Sequence, residues 1–132
     1  MRTAVVSSLL WAFAAMADPA HRIFFGHQSV GEDLLAGVKE AAPQLRVVET
    51  QDAVEGPGLY HAKLGRNEAP LSKLEHFERV LGTLGPHLDV AMVKLCYVDF
   101  DASTDVDAVF AAYQATLDRL EQKFPSVTFV RV

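Results

Sequence analysis

The stretch Arg22-Ile23-Phe24-Phe25-Gly26-His27-Gln28-Ser29-Val30-Gly31 runs from an apolar segment straight into helix-like sequence and carries a serine at the junction. A strand-to-helix turn of this kind delivers its polar residue to the mouth of an α/β sheet, the place for an activated nucleophile or an anion cradle. A serine hydroxyl attacks poorly until a base takes its proton, and an imidazole acting as base needs an orienting carboxylate. The last histidine of the chain is His87, so no imidazole comes from the final part of the sequence. His27 lies two residues before Ser29, where neighbours on a turning backbone rarely face each other usefully. It reads instead as a polar pocket residue bonded to backbone or substrate. His61, with Lys63 nearby, suits contact with an anionic substrate or simple solvation on a loop.

Asp99, Asp101, Asp105 and Asp107 form an acidic stretch that invites a divalent cation, but it lacks the glycine and closing glutamate of a calcium loop. Asp105 and Asp107 also fit the first turn of a helix, where negative charge suits the dipole. No metal and no cofactor are therefore expected. Ser29-Val30-Gly31-Glu32 doubles as a capping box, and Ser72 with Glu75 and Thr104 with Asp107 repeat the pattern at other helix starts. Lys94 is the charge most out of place, inside an apolar run, where a partner such as Asp99 or a position at the strand's end would accommodate it.

The elements that must position these groups follow from periodicity. Strands are predicted at Ile23–Gly26, Leu45–Glu49, Leu88–Tyr97 and Val127–Val132, and helices at Gly31–Ala42, Pro70–Leu84 and Thr104–Lys123. Residues 50–69, rich in Gly, Pro and charge, read as a long loop of the kind that lines a site. The alternation predicts an α/β, three-layer αβα fold with a doubly wound, flavodoxin-like parallel sheet. Ligands then bind beyond the carboxyl ends of the strands, at Gly26–Gly31, His61–Asn67 and Cys96–Asp105.

Half of the residues are apolar and the formal charge is −5, which excludes disorder and a nucleic-acid footprint. Cys96 is a lone cysteine in an apolar run and reads as a small buried hydrophobe. Met1-Arg2, the apolar stretch Ala4–Ala14 and Ala15-Met16-Ala17 follow the grammar of a secretory signal peptide over residues 1–17, too short for a stable membrane span. A buried N-terminal helix is the other reading. The folded domain is then residues 18–132, and a periplasmic or secreted location is expected.

The strand ending Phe24-Phe25-Gly26 and the following Gly26-His27-Gln28-Ser29-Val30-Gly31 turn resemble the first motif block of the SGNH/GDSL hydrolases, in particular divergent bacterial members with a Gly-His-Gln-Ser-Val-Gly turn. The resemblance implies a serine esterase or a carbohydrate or lipid deacylase with Ser29 as nucleophile. It further implies an oxyanion hole from the backbone N–H groups of Ser29 and Gly65 and the side chain of Asn67. His27-Gln28 stands where the wider family has a single Asp, Val98 stands where it has an oxyanion Asn, and the closing Asp-x-x-His block has no counterpart. The expectation is accordingly a fold whose C-terminal part is missing, with the base supplied from beyond Val132 and an exposed strand edge prone to self-association. The partner expected is a small-molecule or glycan ester. A non-catalytic carbohydrate-binding module, with His27, Gln28, His61, Tyr97 and Asp99 around the cleft, is the alternative.

Overall fold

The computed structural model describes residues 21–132. The proposed signal peptide at 1–17 lies outside them. Five parallel strands, β1 (Arg22–His27), β2 (Val47–Glu49), β3 (Gly58–Lys63), β4 (Val90–Val93) and β5 (Thr128–Val130), form one sheet in the order β2-β3-β1-β4-β5. Helices α1 (Ser29–Ala41), α2 (Pro70–Leu84) and α3 (Val106–Lys123) cover it. The strand alternation assigns the layers. Phe25 and Leu59 meet Leu35 of α1 on one face, while Phe24, Tyr60, Ala62 and Ala91 meet Phe77 and Leu81 of α2 and Leu117 and Leu120 of α3 on the other. The three-layer αβα architecture expected from the sequence is the one observed.

The strand count differs from expectation. β3 lies inside the stretch expected to be loop, and it is β3 that pairs with β1, in the register Phe25↔His61 and His27↔Lys63. The Leu45–Glu49 segment supplies only the short outer strand β2, paired to β3 as Val48↔Tyr60. Residues 50–57 connect β2 to its parallel neighbour without a helix. β4 is shorter than its apolar run, because 3₁₀ turns at Gly85–His87 and Tyr97–Asp99 bracket it. β5 joins beside β4, and among the described residues its outer edge has no strand partner.

The helix starts also differ from the capping boxes expected. α1 begins at Ser29 itself, with Gln28 in the capping position and no side-chain cap. Glu32 is paired with Lys63 of β3 at 2.8 Å instead of returning to the serine N–H. α3 is capped by Asp105, whose carboxylate accepts from the Ala108 N–H at 3.0 Å, not by Thr104. Ser72 lies within α2 and bridges the preceding loop, accepting from the Arg66 N–H and donating to the Ala69 carbonyl. No described helix is long and apolar enough to cross a membrane.

Candidate functional site

β1 is the central strand, and the chain leaves it toward β2 and β3 on one side, then crosses on the other face to β4 and β5. The carboxyl ends of β1 and β4 therefore flank the switch point of the sheet, where α/β folds bind ligands. Ser29 stands there, solvent-exposed, as the first residue of α1. Among the described residues no side chain or backbone group hydrogen-bonds its hydroxyl, which leaves the oxygen free for chemistry.

Three loops meet around this point and are tied by polar side chains. The Gln28 amide donates to the Leu64 carbonyl at 2.7 Å and to the Gly65 carbonyl at 3.0 Å, fastening the serine turn to the β3–α2 loop. That loop is fastened in turn to the one after β4. The Asp99 carboxylate accepts from the Lys73 ammonium at 2.6 Å, the Cys96 N–H at 2.8 Å and the Glu68 N–H at 3.0 Å. Lys73 also donates to Asn67 Oδ1 at 3.1 Å. The Lys73 and Asp99 side chains are 1% and 0% exposed, so their charges are compensated almost entirely by each other and by these bonds. Asp99 is thus the anchor of the cluster, not a group that faces a ligand.

The oxyanion donors are arranged differently from the expected set. Gly65 adopts a left-handed φ of +61°, and a Cβ there would lie 2.6 Å from the Lys73 backbone nitrogen. The glycine is required by that close approach of loop to helix. Its N–H donates to His76 Nδ1 at 3.0 Å and is spent. Asn67 is exposed, with its amide oxygen held by Lys73, so its NH₂ remains available. The N–H of Ser29, at the open end of α1, is the other remaining donor.

The histidines form a pair. His27, 1% exposed, directs Nδ1 to the Gln28 carbonyl at 2.7 Å and Nε2 to His61 Nδ1 at 3.0 Å. A carbonyl only accepts, so His27 carries its proton on Nδ1, and His61 must donate from its own Nδ1. Both nitrogens of His27 are engaged, which removes it as a base for Ser29. His61 retains a lone pair on Nε2. Partial burial, then the neighbouring His27, hold its pKa below the ordinary 6.5, against a smaller opposing pull from Glu49. Gly31 is required beneath this pair, since a Cβ there would lie 2.3 Å from His27 Cβ and Cγ.

Of the residues expected to bind substrate, His27, Gln28 and Asp99 bind the protein's own loops, His61 is half-buried against His27, and Tyr97 is 75% exposed. Lys94 follows β4 at the strand's end and donates to the Leu95 carbonyl at 3.2 Å, with Asp99 not its partner. Of the other aspartates of the acidic stretch, Asp101 accepts from the Ser103 N–H and hydroxyl, Asp105 caps α3, and Asp107 lies in the first turn of α3. Sequence reasoning missed Lys73 and His76. Lys73 was visible as a residue four before Phe77 and one before Leu74, on the stripe that α2 buries. Comparison with protein-family models, curated proteins and solved structures finds no match for this chain.

Proposed function

We propose that this protein is an SGNH-type serine hydrolase acting on an ester bond of a small molecule or glycan, with Ser29 as nucleophile. The reading is supported above all by an exposed serine, whose hydroxyl has no hydrogen-bond partner among the described residues, at the carboxyl end of the central strand of a parallel sheet. Attack by Ser29 Oγ on the ester carbonyl forms a tetrahedral oxyanion. In this reading the Ser29 N–H and the Asn67 amide, whose NH₂ is left free, would serve as the oxyanion donors, while Gly65 contributes the turn and not a hydrogen bond. Activation of the hydroxyl calls for a base, and of His27, His61 and His76 only His61 keeps a ring nitrogen, Nε2, without a partner among the described residues. His27 and His76 have both ring nitrogens engaged, and His61 is turned to His27. A periplasmic or secreted location, from residues 1–17, belongs to the same proposal.

A carbohydrate-binding module is the second reading, favoured by the Tyr97 ring, which is 75% exposed beside the switch point and offers a flat face to a sugar. A fluorophosphonate probe separates the two. Labelling of the native chain that is lost in Ser29→Ala, with the melting curve unchanged because the side chain is exposed and makes no bond, supports the hydrolase. Absence of labelling in a folded chain, together with glycan binding that Tyr97→Ala abolishes, replaces it with the binding module.

A further inference from the structure

His76 stands one residue before Phe77 on α2, at the edge of the stripe that the helix buries, and is itself partly buried. Its ring joins three segments of the chain. Nδ1 accepts the Gly65 N–H at 3.0 Å, and Nε2 meets Gln51 Oε1, from the connection between β2 and β3, at 2.8 Å. A backbone N–H only donates and a carboxamide oxygen only accepts, so the ring is neutral and carries its proton on Nε2. An added proton has only Nδ1 to occupy, where it would face the Gly65 N–H donor to donor. Gly65 is pressed so close to α2 that the two N–H groups part only if the peptide turns or the loop lifts.

The peptide unit that donates to His76 is the one whose carbonyl, that of Leu64, accepts the Gln28 amide at 2.7 Å. A peptide is planar, so turning its N–H away from the imidazole also turns its C=O away from Gln28. We propose that His76 is a proton-operated latch on the serine turn: neutral, it fixes the Leu64–Gly65 peptide that holds Gln28, and protonated, it lets that peptide turn and the Gln28 amide go. The rest of the loop stays fastened by Ser72 to the Arg66 N–H and by Lys73 to Asn67, which confines the release to the part beside Gln28. On α2 itself Lys73 lies one turn before His76, paired with Asp99, and Arg79 one turn after it. Along the facing segments the nearest charges are Arg66, after Gly65, and Asp52, after Gln51, and neither is bonded to the ring. Burial, then Arg79, hold the imidazole's pKa below the ordinary 6.5, so the latch is shut at neutral pH and opens in mild acid. It stands whether or not Ser29 is a nucleophile, because none of its contacts involves the serine side chain.

Nitrogen-15 NMR of the full chain between pH 7.5 and pH 5 tests it. The His76 ring nitrogens are expected to titrate with one midpoint. Across that midpoint the protection of the Gly65 amide, measured as its hydrogen exchange against the unstructured rate at the same pH, should fall about five- to tenfold, the loss of one hydrogen bond. The Gln28 side-chain amide signals should shift with the same midpoint. In His76→Ala the Gly65 amide should be poorly protected at both ends of the range, whereas His61→Gln should keep the Gly65 titration intact. Gly65 protection that stays constant while His76 takes its proton overturns the proposal, as does a Gln28 amide that does not follow, or a Gly65 titration that persists in His76→Ala. If His76→Ala does not fold, agreement or disagreement of the three midpoints in the native chain decides.

Discussion

The buried Lys73–Asp99 pair offers the most quantitative test of how the site is held. Replacing Lys73 with Met preserves much of the side-chain volume but strands the Asp99 carboxylate, whose side chain is fully buried. Removing one member of a buried ion pair costs about 3–5 kcal/mol, since the remaining charge loses its partner and stays out of water. For a domain of this size, roughly 4 °C of melting temperature corresponds to 1 kcal/mol, so Lys73→Met is expected to melt about 12–20 °C lower. Asp99 also accepts the N–H groups of Cys96 and Glu68. Asp99→Asn in the Lys73→Met background removes the stranded charge and keeps one carbonyl oxygen for those donors. The double variant should therefore recover about 1–3 kcal/mol relative to Lys73→Met alone. Urea denaturation followed by circular dichroism reads both numbers, provided the slope with denaturant stays constant. A Lys73→Met cost below about 1 kcal/mol, or a double variant weaker than the single one, refutes the claim that this pair carries the loop cluster.

Gly31→Ala forces a methyl group into the His27 ring and is expected to cost about 1–3 kcal/mol by overpacking, read as a lower melting temperature. Gly65→Ala imposes a left-handed conformation on a residue with a Cβ, costing about 1–2 kcal/mol, and pushes the loop off the first turn of α2 besides. Fluorophosphonate labelling of Ser29 should survive the first change less well than the second, because Gly31 lies within the serine turn, whereas Gly65 meets it only through the Gln28 amide. Stability should fall as pH is lowered from 7 toward 5.5, because His61 and His76 both have folded pKa values depressed below 6.5. For His61 the cause is burial and then His27, and for His76 it is burial and then Arg79. The unfolded chain then binds more protons than the folded one, so this stability is present above 6.5 and lost as pH drops through the folded values. His61→Gln should flatten the dependence. Urea midpoints that rise toward pH 5.5, or a slope unchanged in the variant, refute it.

The layers were legible in the sequence because each depends on a long periodic signal. The stripe Leu74, Phe77, Leu81, Leu84 fixes the buried face of α2, and the apolar run before Ser29 fixes the central strand. β3 was hidden because its three inner residues, Leu59, Tyr60 and Ala62, sit among Gly56, Pro57, His61 and Lys63, which read as loop chemistry one at a time. Its strand character comes from pairing with β1 and β2 on both sides, a tertiary term that local propensity does not contain. The serine turn was legible for the opposite reason: a strand followed immediately by a helix leaves its junction residue little choice of position.

The same distinction explains why the polar residues changed roles. Gly65, Asn67 and Asp99 were expected at one place because they follow the carboxyl ends of parallel strands, and they do lie together, after the two strands that flank β1. What the spacing could not convey is that a buried lysine from α2 enters the same cluster from below. Lys73 takes up Asp99 and the Asn67 oxygen, His76 of the same helix takes up the Gly65 N–H, and Gln28 takes up the carbonyls of Leu64 and Gly65. Every polar atom so engaged is withdrawn from ligand chemistry and converted to rigidity. Among the described residues of the three loops and of the histidine pair, the groups that remain uncommitted, the Ser29 hydroxyl and N–H, the Asn67 NH₂ and His61 Nε2, are few and held on a backbone that internal bonds have fixed. Preorganisation of a few donors by a fully satisfied supporting network is the arrangement that lets such groups stabilise a developing charge without first reorganising themselves.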